Sequence, residues 1–184
     1  FSSDNPLVTA ADTLMSLYTD PDDIRLQLFA PDNNNELKVT TKYRIKVGYT
    51  PEQERYDPFI LRVSEMYLNR AEAYLRKGDT AKAAGDLKAI IARALNKSVS
   101  DIQMNYKNNE ELLLLIKKER ARELCFEGHN FFDIVRYKDD LVRGAGTESN
   151  VKYLPYPNDL FVLPIPQSEL NANTNMQGNP TVNN

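Results

Sequence analysis

Tryptophan is absent from this 184-residue chain, and cysteine and histidine occur once each, as Cys125 and His129. A single cysteine excludes an internal disulfide framework and any cysteine-based zinc site. Its neighbours Leu124 and Phe126 give Cys125 the setting of a small buried hydrophobe. A nucleophilic pairing of Cys125 with His129 lacks the third group that would orient the base. A metal centre is equally unsupported, because a good zinc or iron site wants three or four positioned ligands and no H-x-x-x-H or E-x-x-H spacing occurs. His129 is therefore expected as a turn residue, and no cofactor or metal is expected.

Excess positive charge is also lacking. The chain carries 23 basic and 26 acidic residues, a net charge of −3 and a pI near 5.3, with no basic block along it. Nucleic acid is thus excluded as a natural partner. The longest apolar runs, such as Leu112 to Ile116, fall far short of the ~20 residues that span a bilayer. At Phe1 there is no initiator methionine, no basic n-region, no apolar h-region and no small-residue cleavage site, which reads as a fragment or mature piece of something longer. The length is nonetheless enough for one domain, since chains near 150 residues bury about 70% of their unfolded surface.

What is present begins with a helical spacing, Ala10, Ala11, Leu14, Leu17 and Tyr18, after the candidate caps Asp4 and Asn5, with Pro21 marking its limit. Pro31 to Glu36, with three consecutive asparagines, is a loop signal. From Leu37 to Tyr49, Val39, Thr41, Tyr43, Ile45 and Val47 alternate with polar residues, the period of a half-buried strand or hairpin arm. Between Pro58 and Leu95 the pattern changes to helical. Ile60, Val63, Tyr67, Ala71 and Tyr74 are predicted to line one helix, Gly78 to end it, Asp79 to cap the next, and Ala83, Leu87, Ile90 and Ala94 to line the second. Two helices joined so tightly pack antiparallel, and Ala71, Ala73, Ala81, Ala83 and Ala84 suit a close approach.

After a polar link from Asn96 to Asn109, a helix is predicted from near Glu110 to Glu127, with Leu113, Leu114, Ala121, Leu124 and Cys125 on its apolar side. Within it Glu119, Arg120, Glu123 and Glu127 stand three or four apart, where side chains can pair along adjoining rows. Gly128 offers a helix stop, and Phe131, Phe132, Asp133, Ile134, Arg136 and Tyr137 resume an amphipathic pattern. Past Asp140 comes a long polar loop with Gly144 and Gly146, and no hydrophobic period returns until Leu160.

The run KKERARELCFEGHNFFDIVRY resembles a signature of the SusD/RagB family, E-R-x-x-E-L-x-x-E-G-x-R-x-x-D-hydrophobic-x-R. Glu119, Arg120, Glu123, Leu124, Glu127, Gly128, Asp133, Ile134 and Arg136 match it in order, while Asn130 replaces the usual arginine. PFILRVSEMYLNRAEAYL is similar to the family's R-x-x-E-x-Y-L-x-x-A-E-A element through Arg62, Glu65, Tyr67, Leu68, Ala71, Glu72 and Ala73. Asp23, Ile24 and Arg25 are similar to its short D-x-R element. The tail resembles its L-P-I-P element, with Leu163, Pro164, Ile165, Pro166, Glu169, Leu170, Asn173, Met176 and Gln177 in place. There Thr174 replaces a proline, and Gly178 is inserted before Asn179 and Pro180. AEAYLRKGDTAKA also resembles a tetratricopeptide (TPR) repeat, which the SusD/RagB family carries in divergent form.

The resemblance implies a mostly α fold of TPR-like helix pairs, an α-α superhelix with long loops and a minor β hairpin or strand. The expected organisation is a helix plus loop and strand region over 1–57 and a SusD/RagB-like C-terminal helical domain over 58–184, in one compact unit. It further implies a non-enzymatic, glycan-binding lipoprotein at the outer membrane surface. A lipid anchor on a missing N-terminal part would be its only membrane contact, and its partner would be a SusC-type TonB-dependent transporter. A TPR-like protein interaction module and a glycoside hydrolase fragment are the alternatives. No second repeat follows at 34 residues, and no carboxylate pair sits in a hydrolase motif.

Without tryptophan, tyrosine would have to supply any ring on which a sugar stacks. Tyr43, Tyr49 and Tyr56 are the candidate ligand contacts, with Tyr153 and Tyr156 in the late loop. Glu119, Arg120, Glu123 and Glu127 are expected to form a structural ion-pair network holding their helix against the C-terminal tail.

Overall fold

The computed structural model describes residues 10–31, 37–42, 60–144, 147 and 149–179. These fold in the order α1 (Asp12–Met15), β1 (Phe29–Pro31), β2 (Leu37–Thr40), α2 (Val63–Arg76), α3 (Thr80–Ala94), α4 (Asn109–Glu123), α5 (His129–Tyr137), β3 (Leu141–Val142), β4 (Tyr153–Leu154) and α6 (Gln167–Ala172). The mostly α class with minor strand pairing is as expected. Contacts divide the chain into two compact units, Phe1–Asn130 and Phe131–Asn184, where one unit had been expected. The anticipated boundary at residue 57 lies outside the described residues, as do the candidate caps Asp4 and Asn5.

In the first unit α2 and α3 form the expected antiparallel pair, and the turn between them follows from two residues. Gly78, at φ +83°, takes the left-handed conformation that ends α2. The Gly78 N–H then donates to the Leu75 carbonyl at 3.0 Å and the Asp79 N–H to Tyr74 at 2.9 Å, the paired bonds of a Schellman cap. The Asp79 side chain accepts from the Lys82 N–H and so starts α3. Asn96, at φ +50°, closes α3 in the same way, with Lys97 N–H donating to Ala92.

The core of this unit is built from Leu68, Ala71 and Leu75 of α2, Ala83, Leu87 and Ile90 of α3, and Leu112 and Ile116 of α4. The α3 face is the predicted one. On α2 the buried stripe is Ser64, Leu68, Ala71 and Leu75, whereas Ile60 and Val63 are exposed. Tyr67 and Tyr74 lie at its margin, with the Arg70 guanidinium over both rings. Arg70 is held there by a bidentate pair with Asp86 of α3, both bonds 2.7 Å. Ala71, Ala83 and Ala84 are buried as the close approach requires, but Ala73 and Ala81 are exposed.

On α4 the side chains of Leu112 and Ile116 enter the core and Leu114 is exposed, a correction to the predicted apolar side. The helix also ends at Glu123, short of the predicted Glu127. Phe126 at φ +62° and Gly128 at φ +82° turn the chain before α5 begins. Cys125 is buried as expected, packed with Ala10 and Phe29 and flanked by Leu14, Met15, Tyr18 and Phe126. That second cluster explains why α1 is only one turn long. The Leu17 and Tyr18 N–H groups bond three residues back, tightening the chain so that Tyr18 packs edge-on against Phe29. Phe29 is held by β1, which pairs antiparallel with β2 in the register Phe29–Thr40 and Ala30–Val39. The predicted strand is therefore present over Leu37–Thr40, and its continuation over 43–49 lies outside the described residues.

In the second unit the loop after Asp140 contains a short antiparallel pair, β3 with β4, in the register Leu141–Leu154 and Val142–Tyr153. Leu141, Leu154 and Phe161 form its core, with Phe131, Ile134, Val135 and Tyr156 against them. α6 starts directly after Pro166, and the Asn179 side chain donates to the Leu163 carbonyl at 2.7 Å.

Candidate functional site

Three of the stretches that carry the family resemblance meet in the first unit, on the buried side of α4. Asp23 begins the site by capping the 3₁₀ turn Ile24–Leu28, accepting the Arg25 N–H at 3.0 Å. The same carboxylate accepts Arg25 Nε at 2.9 Å and Nη2 at 2.7 Å, which fixes the plane of the guanidinium. Arg25 Nη1 is thereby aimed at α4, donating to Glu119 at 2.6 Å and to Glu123 at 3.0 Å.

Arg62, the residue that precedes α2, arrives from another side. It donates to Glu123 at 2.8 Å and to Glu127 at 3.0 Å, and its Nη2 bonds the Glu123 carbonyl. Arg93, in the last turn of α3, places Nη2 2.6 Å from both Glu123 oxygens. Lys42 pairs with Glu127 and donates to the Cys125 carbonyl at 3.0 Å, satisfying backbone left open where α4 ends. Arg122 pairs with Glu119 and donates to the Leu17 carbonyl, and Arg120 donates to Asn69 at 2.6 Å.

Glu119 is fully buried and Glu123 nearly so. Burial alone would push the Glu123 carboxyl up. The charges of Arg93, Arg62 and Arg25 overcome it and hold that carboxyl at about 2, well below its ordinary value. Burial also pushes the Cys125 thiol up, which disfavours the thiolate that a nucleophile or a metal ligand requires. Among the described residues no group of three or more His, Cys, Asp or Glu is arranged to hold a metal ion.

The ion-pair network is thus real, but its composition differs from expectation. Among the described residues the cations paired with Glu119, Glu123 and Glu127 are Arg25, Lys42, Arg62, Arg93 and Arg122. Pairing along one helix row joins Arg122 to Glu119, whereas Arg25, Lys42, Arg62 and Arg93 reach the glutamates from other parts of the chain. Lys42 and Arg93 were missed by sequence reasoning. Lys42 stood on the polar side of a period-two pattern and Arg93 belonged to no recognised motif, so neither carried a signal.

Above the network lies an open cleft of about 420 Å³, lined by Lys42, Arg62, Ser64, Tyr67, Ile90 and Arg93 among others. This is the first unit's candidate ligand site. Of the tyrosines proposed as contacts, Tyr43, Tyr49 and Tyr56 lie outside the described residues. In the second unit Tyr153 is exposed, with its hydroxyl donating to Asp140 at 2.7 Å, and the Tyr156 backbone N–H donates to the same carboxylate at 2.8 Å. These two bonds hold the Asp140 carboxyl below its ordinary value. Tyr156 itself packs against Phe161, a core role.

The site's three stretches fall in one family pattern, and the family model for the SusD family matches residues 25–181. This chain belongs to the SusD family. Among solved SusD-family structures, a SusD superfamily protein from Bacteroides thetaiotaomicron is 33% identical with a TM-score of 0.79, the match covering 94% of this chain and 40% of that one. A provisionally named sugar binding protein from Bacteroides vulgatus is 28% identical with a TM-score of 0.75, over 92% of this chain and 38% of that one. Another SusD superfamily protein from Bacteroides vulgatus is 27% identical, with a TM-score of 0.74 over 95% and 38%. The chain therefore spans about 40% of the length of these SusD structures. Comparison with curated proteins finds no match.

Proposed function

We propose that this chain is the C-terminal portion of a non-enzymatic glycan-binding lipoprotein, displayed at the outer membrane surface, that delivers an oligosaccharide to a SusC-type TonB-dependent transporter. The observation that carries the reading is the SusD-family match over residues 25–181, within which the quoted arginines and glutamates converge on one buried network. That network is scaffold. It joins the 3₁₀ turn Ile24–Leu28, α2, α3 and α4, and leaves the exposed helical faces free to meet a partner. A glycosidase general acid needs a raised carboxyl, so Glu123, held at about 2 by three arginines, is unsuited to that role.

Affinity electrophoresis of the chain through gels containing a panel of polysaccharides, with reducing sugar measured in parallel, tests the reading. Retention without release of reducing ends is the expected result. Release of sugar would establish the hydrolase alternative, and absence of retention with capture of a peptide would establish the interaction-module alternative.

A further inference from the structure

The cleft above the ion-pair network has an unbalanced charge. Among the described residues five cations, Arg25, Lys42, Arg62, Arg93 and Arg122, are set against four carboxylates, Asp23, Glu119, Glu123 and Glu127. Four of those cations are at most about one-fifth exposed, with side chains at 7%, 8%, 21% and 19%, whereas Arg93 is 51% exposed. Arg93 is therefore the cation of this set that reaches solvent. Only its Nη2 is used, on Glu123, so Nε and Nη1 keep hydrogens with no partner among the described residues. Among the described residues the cleft wall carries Lys42, Arg62 and Arg93 and no acidic side chain. Its remaining surface includes the Tyr67 ring, Ala89 and Ile90. The volume of about 420 Å³ lies in the ~300–1,000 Å³ range of small-molecule sites.

We propose that this cleft binds an acidic sugar, with the carboxylate of a uronic acid residue accepting hydrogen bonds from Arg93 while Tyr67, Ala89 and Ile90 meet the apolar face of the pyranose. The inference rests on the glycan-binding reading and narrows it to carboxylate-bearing glycans. A planar guanidinium already fixed on one edge by Glu123 is oriented before the ligand arrives, so little rotamer freedom is lost on binding. The carboxylate also offsets the surplus of one cation counted among these described side chains. The remaining polar atoms of Lys42 and Arg62 are committed to Glu123, Glu127 and backbone carbonyls, which makes Arg93 the residue that selects.

Titration of the 184-residue chain with methyl β-D-glucuronide, methyl β-D-glucoside and sodium acetate at one fixed ionic strength tests this, followed through the arginine Nε–H resonances in ¹⁵N NMR. The glucuronide differs from the glucoside only in its carboxylate, so a saturable shift of the Arg93 signal with the glucuronide alone is expected. Arg93→Gln should weaken that binding at least tenfold. Ala89→Phe, which fills the cleft without touching the network, should do the same. Arg76→Gln, remote from the cleft and exposed, should leave it unchanged. Equal response to glucoside and glucuronide, equal affinity for acetate, or indifference to both cleft variants would overturn the proposal. Retention of neutral glycans alongside no response to glucuronide would overturn this inference while leaving the glycan-binding reading standing.

Discussion

Replacing Arg25 by alanine removes the side chain that ties the 3₁₀ turn Ile24–Leu28 to α4. Four hydrogen bonds to carboxylates disappear, two to Asp23 and one each to Glu119 and Glu123, at 2.6 to 3.0 Å. At roughly 1.5–3 kcal/mol per bond to a charged group, their gross loss is about 6–12 kcal/mol. Against this stand the several kcal/mol for desolvating one guanidinium and about 2 kcal/mol of regained side-chain entropy. A net loss of about 3–5 kcal/mol follows, in line with breaking a buried pair from one side. The damage is uneven. Glu123 retains Arg62 and Arg93, whereas Glu119, fully buried, retains Arg122 among the cations described. Equilibrium unfolding in urea, by circular dichroism at pH 7, gives the number. In the double variant Arg25→Ala/Glu119→Gln the loss should be smaller than the sum of the two single losses, because the stranded charge is gone. A loss below about 1 kcal/mol for Arg25→Ala, or strict additivity, would refute the assignment of a buried, mutually dependent network.

Three further outcomes follow from the same structure. Because the folded Glu123 carboxyl lies at about 2 and its ordinary value is 4.5, its contribution is fully present above pH 4.5 and is lost as pH falls toward 2, about 3 kcal/mol in all; urea midpoints across that window should fall, and less steeply in Glu123→Gln. Leu68→Ala should cost about 2–5 kcal/mol by opening a cavity between α2 and its neighbours, while Ile60→Ala, at a residue 84% exposed, should change stability by less than about 0.5 kcal/mol; similar losses would mean that the buried stripe of α2 is misassigned. Gly78→Ala meets no atom within 4 Å, so its penalty is conformational alone, about 1–2 kcal/mol from φ +83°, and a thermal midpoint unchanged from the parent would contradict that left-handed cap.

Much of this fold was legible because its signals are local. Gly78 followed by Asp79 specifies a Schellman cap and an N-cap whatever surrounds them, and the α3 stripe has no competing face. The α2 stripe was misread because two helical rows compete there. Ile60, Val63, Tyr67, Ala71 and Tyr74 look more hydrophobic than Ser64, Leu68, Ala71 and Leu75, yet the tyrosines work as margins under Arg70. Four consecutive leucines at 112–115 carry no phase, so which of them faced the core was not readable. α1 was overextended because Tyr18 is placed by Phe29, a tertiary partner that helical spacing cannot register. For the site, the glutamates and Arg62 were visible through motifs, but the pairings of Arg25, Lys42 and Arg93 with them join residues 30 to 98 positions apart. Charge pairing over that separation leaves no periodicity to find.

The proposed function requires that this chain bind glycan without cleaving it. Isothermal titration with the polysaccharide most strongly retained in affinity gels, and reducing-end analysis of the same sample after prolonged incubation, measures both halves at once. Saturable heat with an unchanged reducing-end count is the predicted result. New reducing ends, or no saturable heat with any glycan of the panel, would contradict it.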